Sequence, residues 1–203
     1  MNSNSPSNLS FLVVIENEPP QQNFSLKDLP SASKIDVIAR NILALFPNHT
    51  PNLNITYYAF FTQKTPKVLV VKNLVIDDSN TDEIFIASKI RDALEITSSG
   101  ENDDQMAWIS VLDFQSFIET ISAKNDVLFY LKEDGSNYVN HLTKSLLEKK
   151  TIFILGGRRD ISDIHEEILH SFNIKKISLG TKAYLASQCL SLITYEFEKL
   201  LSH

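Results

Sequence analysis

Val127-Leu128-Phe129-Tyr130-Leu131, followed at once by Lys132-Glu133-Asp134-Gly135, is the stretch on which the fold turns. Five apolar or aromatic residues without a polar interruption read as a strand buried on both faces. The loop that follows is charged and ends in glycine. The same order recurs twice downstream. Thr151 to Leu155 runs into Gly156-Gly157-Arg158-Arg159, and Lys176 to Leu179 runs into Gly180-Thr181-Lys182. Between these strands the pattern predicts helices over Ser136 to Lys149, Ser162 to Ser171 and Lys182 to Leu200. Strands alternating with helices across short connections require crossover units, hence an α/β fold with a mostly parallel sheet and helices on both faces.

Upstream, Phe11 to Ile15, Ile55 to Phe61, Val68 to Val71 and Ala107 to Leu112 read as further strands. Lys72-Asn73 marks a hairpin or a bulge. After Pro30, the residues Ile35, Ile38, Ile42, Leu45 and Phe46 fall on one helical face, and Pro47 ends the helix. A second helix is expected from Thr81, its N-cap, to Leu94, with Ile84, Ala87, Ile90 and Leu94 inward. A short third helix spans Asp113 to Ser122, and Ser98 to Gln105 is a polar loop. No repeat or linker divides the chain. Residues 11–203 read as one domain behind a flexible, Ser/Asn-rich tail over 1–10.

The 203 residues, 43% hydrophobic and 22% charged, are those of a globular chain large enough for its own core. A single cysteine, Cys189, excludes a disulfide framework and a Cys-rich metal site, and points to a reducing, cytoplasmic setting. No apolar run approaches the roughly 20 residues of a membrane span. His141, His165 and His170 lack metal-ligand spacing, so no metal is expected. The net charge of −6 argues against a generally basic nucleic-acid surface. A partner of that class would need cations gathered locally, for which Lys34 and Arg40, Lys149 and Lys150, Arg158 and Arg159, Lys175 and Lys176, and Lys182 are candidates.

Ligands of open parallel sheets lie beyond the carboxyl ends of the strands. Three strands ending in glycine-bearing loops therefore suggest one shared pocket, in which backbone amides approach a ligand closely. The absence of Gly-x-Gly-x-x-Gly and of a Walker lysine loop argues against a dinucleotide or a nucleoside triphosphate. Asp36 and Arg40, four apart on the first helix, share one face. They form either a simple ion pair or a functional couple.

Several ordered blocks carry a resemblance. Phe24 to Pro30 with Lys34 to Arg40, Asp82-Glu83 with Ile90 to Leu94, and Leu131 to Gly135 are three of them. Phe153 to Gly156, Ile177 to Gly180, and Leu185 to Cys189 with Glu196 complete the set. Together they resemble the archaeal tRNA (pseudouridine-54 N1)-methyltransferases, members of the SPOUT superfamily, from about residue 11 to residue 200. The resemblance implies a C-terminal trefoil knot formed after roughly Val127, a homodimer, a tRNA substrate, and S-adenosylmethionine as methyl donor. It implies a donor site at Leu131, Gly135, Leu155, Gly156, Ile177, Ser178, Leu179, Gly180, Leu185 and Cys189. It places Asp36 and Arg40 at the reaction, and Lys34, Arg40, Arg158 and Arg159 on the RNA.

The chain departs from that family pattern where side chains would face RNA. Gly157 and Arg158 stand where an acidic residue and a His, Lys or Gln are usual. Gln188, Thr194 and Tyr195 replace histidine and His-Asn, and Ser31, Ala32 and Ser33 replace glycines, with Lys34 for arginine. Two further readings therefore stay open: the same fold acting on another RNA base, or a silent paralogue that binds RNA or protein.

Overall fold

The computed structural model describes residues 6–17, 24–32, 34–46, 52–76, 82–99 and 105–202. The expected N-cap at Thr81, the stop at Pro47, most of the loop from Ser98 to Gln105 and the first five residues lie outside them.

Seven strands form one sheet: β1 (Ser7–Glu16), β2 (Leu53–Thr62), β3 (Lys67–Lys72), β4 (Met106–Ser110), β5 (Val127–Asn137), β6 (Thr151–Gly156) and β7 (Lys175–Ser178). Their order is β4-β3-β2-β1-β6-β5-β7. The β1–β2, β1–β6, β5–β6 and β5–β7 pairs are parallel, and only β2–β3 and β3–β4 are antiparallel. The sheet is thus mostly parallel. Its antiparallel end begins at the turn between β2 and β3, ahead of Lys72-Asn73.

Helices α1 (Ile35–Leu45), α2 (Glu83–Ser99), α3 (Phe114–Ile121), α4 (Asp163–Ser171) and α5 (Ala186–Ser202) cover both faces. Alternation within β1 shows why. Leu9, Phe11, Val13 and Ile15 point into the layer shared with α1, α2 and α5. Leu12 and Val14 point into the layer shared with α3 and α4. A strand feeding both layers must be apolar throughout, and β1 has Leu9 and Phe11 to Val13 all at zero exposure. Phe153 of β6 ties the first layer together, stacking at 5.9 Å on Phe11 and 5.4 Å on Phe129 while Phe197 of α5 meets it edge-on. Burying each such ring stabilises the folded state by about 1.5–3 kcal/mol relative to leaving it exposed.

Several segments differ from the sequence reading: α2 runs on to Ser99 and α5 begins only at Ala186, and three others differ more. β1 begins at Ser7, ahead of the apolar run, because pairing with Leu53 of β2 recruits polar residues into the ladder. Ile84 is half exposed, whereas Ile86, Ala87, Ile90, Ala93 and Leu94 form the buried stripe of α2. The helix expected over Ser136 to Lys149 does not form. β5 instead continues to Asn137, and two short 3-10 turns follow at Tyr138–Asn140 and Lys144–Glu148. The local side chains explain this outcome. Asn137 accepts from the Val139 amide, and the Ser136 hydroxyl bonds the Lys176 carbonyl and His141. Short polar side chains that bond nearby backbone compete with helix formation.

Candidate active site

Because β1, β2, β5, β6 and β7 run parallel, their carboxyl ends share one edge of the sheet. At the ends of β6 and β7 and the bulge of β5 lies a cleft of about 180 Å³. Leu131, Lys132 and Glu133 form one wall, and the stretch from Leu155 to Asp160 a second. Leu179, Gly180 and Lys182 to Tyr184 close it, with Ala186 and Cys189 of α5 at the base. Among the expected donor-site residues, Leu131, Leu155, Gly156, Leu179, Gly180 and Cys189 meet here. Arg158 and Arg159, expected on RNA, line the same cleft.

Gly156 makes this shape possible. A Cβ built there would lie 2.1 Å from the Arg159 carbonyl oxygen and 3.2 Å from the Asp160 Cα, because the loop folds directly back over it. Gly157 stays close to β1, its amide donating to the Val14 carbonyl at 3.0 Å. Gly180 has φ +142°, a conformation that L side chains rarely adopt. The Ser178 hydroxyl holds that turn, donating to the Gly180 carbonyl at 2.9 Å and accepting from the Gly180 amide at 3.1 Å.

Four expected donor-site residues do not line the cleft, and each has a definable position. Ile177 is fully buried in β7. Ser178 shapes the Gly180 turn. Gly135 lies beneath the wall, where β5 bulges so that Leu131 and Ser136 both pair with Ile177. A Cβ on it would meet Ile177 backbone at 2.5–2.6 Å. Leu185, with 58% of its surface exposed, precedes α5. Its amide donates to the Gln188 side chain at 2.9 Å, and its carbonyl accepts from Gln188 and Cys189. That reciprocity is half of a capping box, so the glutamine that departs from the family pattern stabilises the start of the helix.

Asp36 and Arg40 lie on α1, outside the cleft lining. Arg40 Nε donates to Glu83 of α2 at 3.0 Å, and its Nη2 reaches Asp36 at 3.5 Å. The Glu83 hydrogen bond raises the Arg40 pKa, against some burial, and the guanidinium stays charged. Asp36 Oδ1 is buried and makes no hydrogen bond. Lys34 precedes α1 at φ +64°.

The cleft carries Lys132, Arg158, Arg159 and Lys182 against Glu133 and Asp160, a local cationic excess on a chain of net charge −6. Lys132 and Lys176 both bind Glu166 of α4, at 2.6 and 2.8 Å, which fastens the β5 bulge to that helix. Those two hydrogen bonds hold the Glu166 carboxyl below its ordinary pKa despite burial. Burial, with Glu133 nearby, pushes the Cys189 thiol up to about 11. The thiol therefore stays protonated at neutral pH and is no nucleophile. Among the described residues, no three His, Cys, Asp or Glu side chains gather as a metal-ligand group.

Lys132, Glu133, Gly157 and Lys182 belong to the strand-end loops from which the sequence suggested a shared pocket, whereas Asp160, Ala183, Tyr184 and Ala186 were given no individual role. Asp160 and Ala183 directly follow two of those loops, which was the available signal. Ala186 lies within the Leu185 to Cys189 block, whereas Tyr184 had no signal, because only the path of the chain between β7 and α5 brings it to the cleft.

Residues 9–201 match the family described as "Putative SAM-dependent RNA methyltransferase". The chain belongs to this family. The methyltransferase is 28% identical over 193 residues to a tRNA (pseudouridine(54)-N(1))-methyltransferase of Methanocella arvoryzae, covering 93% of this chain and 98% of that one. It is 27% identical to the protein of the same name from Pyrococcus abyssi, over 94% of this chain and 97% of that one. Among solved structures, Archaeoglobus fulgidus Nep1 bound to S-adenosylhomocysteine matches with a TM-score of 0.60 at 13% identity. That match covers 98% of this chain and 100% of the other, and establishes a common fold. The methyl donor is S-adenosylmethionine. The residues present suit it. A zwitterionic sulfonium needs both carboxylate and cationic partners, and its adenine needs apolar walls such as Leu131, Leu155, Leu179 and Ala186.

No helix among the described residues is long and apolar enough to cross a membrane.

Proposed function

We propose that the methyltransferase acts in the cytoplasm on tRNA, methylating N1 of the pseudouridine at position 54, with its donor in the cleft at the bulge of β5 and the ends of β6 and β7. The observation that carries this reading is the convergence of the β5 bulge and the loops after β6 and β7 on one pocket of mixed charge. The archaeal relatives, matched over nearly their whole length, supply the base.

Pseudouridine exposes an N1–H that uridine lacks, and loss of that proton leaves a nucleophilic nitrogen. The chain need form no covalent bond to the base. Backbone at Leu131, Leu155, Gly156, Leu179 and Gly180 holds the donor, which supplies an electrophilic methyl. The chain must then align nitrogen, carbon and sulfur, and such alignment is worth roughly 7–11 kcal/mol. Arg158, Arg159 and Lys182 offer positive charge to a phosphate or a developing anion. Asp36, with its unpaired buried oxygen, is the candidate proton acceptor, and Arg40 holds it in place. Lys34, at the head of the same helix, is assigned to the RNA backbone.

The cleft of one chain is small beside the roughly 300–1,000 Å³ of typical small-molecule pockets. Tyr184, Leu185 and Tyr195 are exposed apolar residues at its mouth and on α5. A homodimer that covers them completes the site, and threading of the chain after Val127 into a trefoil knot positions the loops. Residues 11–203 act as one domain.

The test is methyl transfer to a T-arm stem-loop carrying pseudouridine or uridine at position 54, read by nucleoside mass spectrometry. N1-methylpseudouridine from the first RNA and no product from the second is expected. Transfer to the uridine RNA alone would move the activity to another base. No transfer to either, with donor affinity lost, would mark a silent paralogue.

A further inference from the structure

A second and larger hollow opens along the same sheet edge, at the ends of β1 and β2, with a volume of about 640 Å³. It lies beside the donor cleft, since Val14 of β1 pairs with Gly156 of β6 and the loop from Gly156 to Ser162 runs from one hollow to the other. Its chemistry is different. The amino ends of α3 and α4 both border it, positions where a helix ordinarily attracts an anion. Both are already occupied by carboxylates of the chain itself. Asp113 Oδ1 accepts from the Ser116 amide at 2.7 Å at the head of α3. Glu16 Oε1 accepts from the Ser162 amide at 2.9 Å at the head of α4.

Glu16 is bound further by His165 Nδ1 at 2.8 Å and by the Thr62 hydroxyl at 2.7 Å, and its side chain is only 8% exposed. Burial pushes its carboxyl pKa up, but these hydrogen bonds outweigh burial and hold it below the ordinary value. The two carboxylates share the lining with Lys64 and His165, so the hollow offers no excess of positive charge to a phosphate. Its upper walls are apolar: Leu112 is 82% exposed and Ile164 is 73% exposed. The amide side chains of Asn17 and Gln63 belong to its lining. Apolar walls with amide groups and little net charge suit a neutral planar heterocycle.

We infer that this hollow receives a second, unpaired nucleobase of the RNA whose target base faces the donor cleft. The inference rests on the proposed RNA methyltransferase activity and adds a subsite to it. Arg158, Arg159 and Lys182 take the phosphates on the cleft side, and the uncharged walls of Leu112 and Ile164 clamp a neighbouring base. Contact to a base face tolerates any base, so the subsite fixes the distance between two unpaired nucleotides rather than a sequence.

The experiment uses the full chain, a fluorescein-labelled T-arm stem-loop with pseudouridine at position 54, and S-adenosylhomocysteine. Leu112→Asp with Ile164→Asp should weaken RNA binding by about tenfold, the scale of one lost base contact. The affinity for S-adenosylhomocysteine and the urea midpoint should be unchanged, because both side chains are exposed. Abasic replacement of each unpaired nucleotide in turn should find one position, other than 54, whose loss weakens the wild type about tenfold and the double variant not at all. If no position shows that coupling while the wild type still methylates the RNA, the subsite is overturned and the proposed function stands. If the wild type neither binds nor methylates the stem-loop, both are overturned.

Discussion

Replacing Gly156 with alanine puts a methyl group where the chain has already folded back on itself. The new Cβ would sit 2.1 Å from the Arg159 carbonyl oxygen, where ordinary carbon contacts begin near 3.5 Å. The gap must open by more than an ångström. The atom in the way is backbone, so no rotamer change can relieve it. Either the turn from Gly157 to Asp160 swings outward or β6 slips against β1, and the first costs less because Arg158, Arg159 and Asp160 are exposed. Overpacking of this kind costs about 1–3 kcal/mol of stability, which a chain of this size survives. The site suffers more, since a misplacement of about 1 Å can lower turnover by roughly 100-fold. Gly157→Ala is the control. Its Cβ would meet only the end of the Ile15 side chain, at 2.6 Å, and that side chain can move. We expect G156A to fold and to lose S-adenosylmethionine affinity by more than about tenfold in calorimetry, with G157A much less affected. Wild-type affinity in G156A would refute the reasoning that this turn walls the donor site.

Four further outcomes follow from the same geometry. Arg40→Ala should abolish methyl transfer while leaving donor affinity intact; unchanged turnover would remove Asp36 and Arg40 from the reaction. Gln188→Ala should lower the thermal midpoint by about 1–4 °C through loss of the cap on α5, on the order of 0.3–1.5 kcal/mol. The Glu16 carboxyl sits below its ordinary pKa in the folded chain, so its contribution is present above the carboxylate range and disappears as pH falls through it. Urea midpoints measured between pH 7 and pH 3 should therefore fall less steeply for Glu16→Gln than for the wild type. Cys189→Ala should keep its activity, and Cys189 in the folded wild type should resist iodoacetamide at pH 8, since its thiol titrates near 11.

The strand-end loops were legible because burial on both faces erases polar residues from β5 and β6, and glycine at Gly156 and Gly180 marks where the backbone must turn. The segment after Gly135 was not legible. Ser136 to Lys149 has acceptable helix formers, but β7 claims its first residues as a strand, and that pairing partner lies 40 positions away. Gly135 and Leu185 show the same limit at single residues. Both belong to the right loops, yet tertiary packing turned one toward Ile177 and used the other as a cap. The Glu16–His165 contact joins residues 149 positions apart. No local pattern in sequence could have paired them. Asp36 and Arg40 do share one face of α1, but Arg40's closer partner, Glu83, belongs to α2, and the spacing alone was silent about it.

Co-crystallisation of the full chain with S-adenosylhomocysteine tests the central claim most directly. The ligand should lie between the turn from Gly156 to Arg159 and the segment from Leu179 to Tyr184, with its adenine against Leu131 and Ala186. Ligand seated instead beside Glu16 and His165, or on α1 at Arg40, would contradict it.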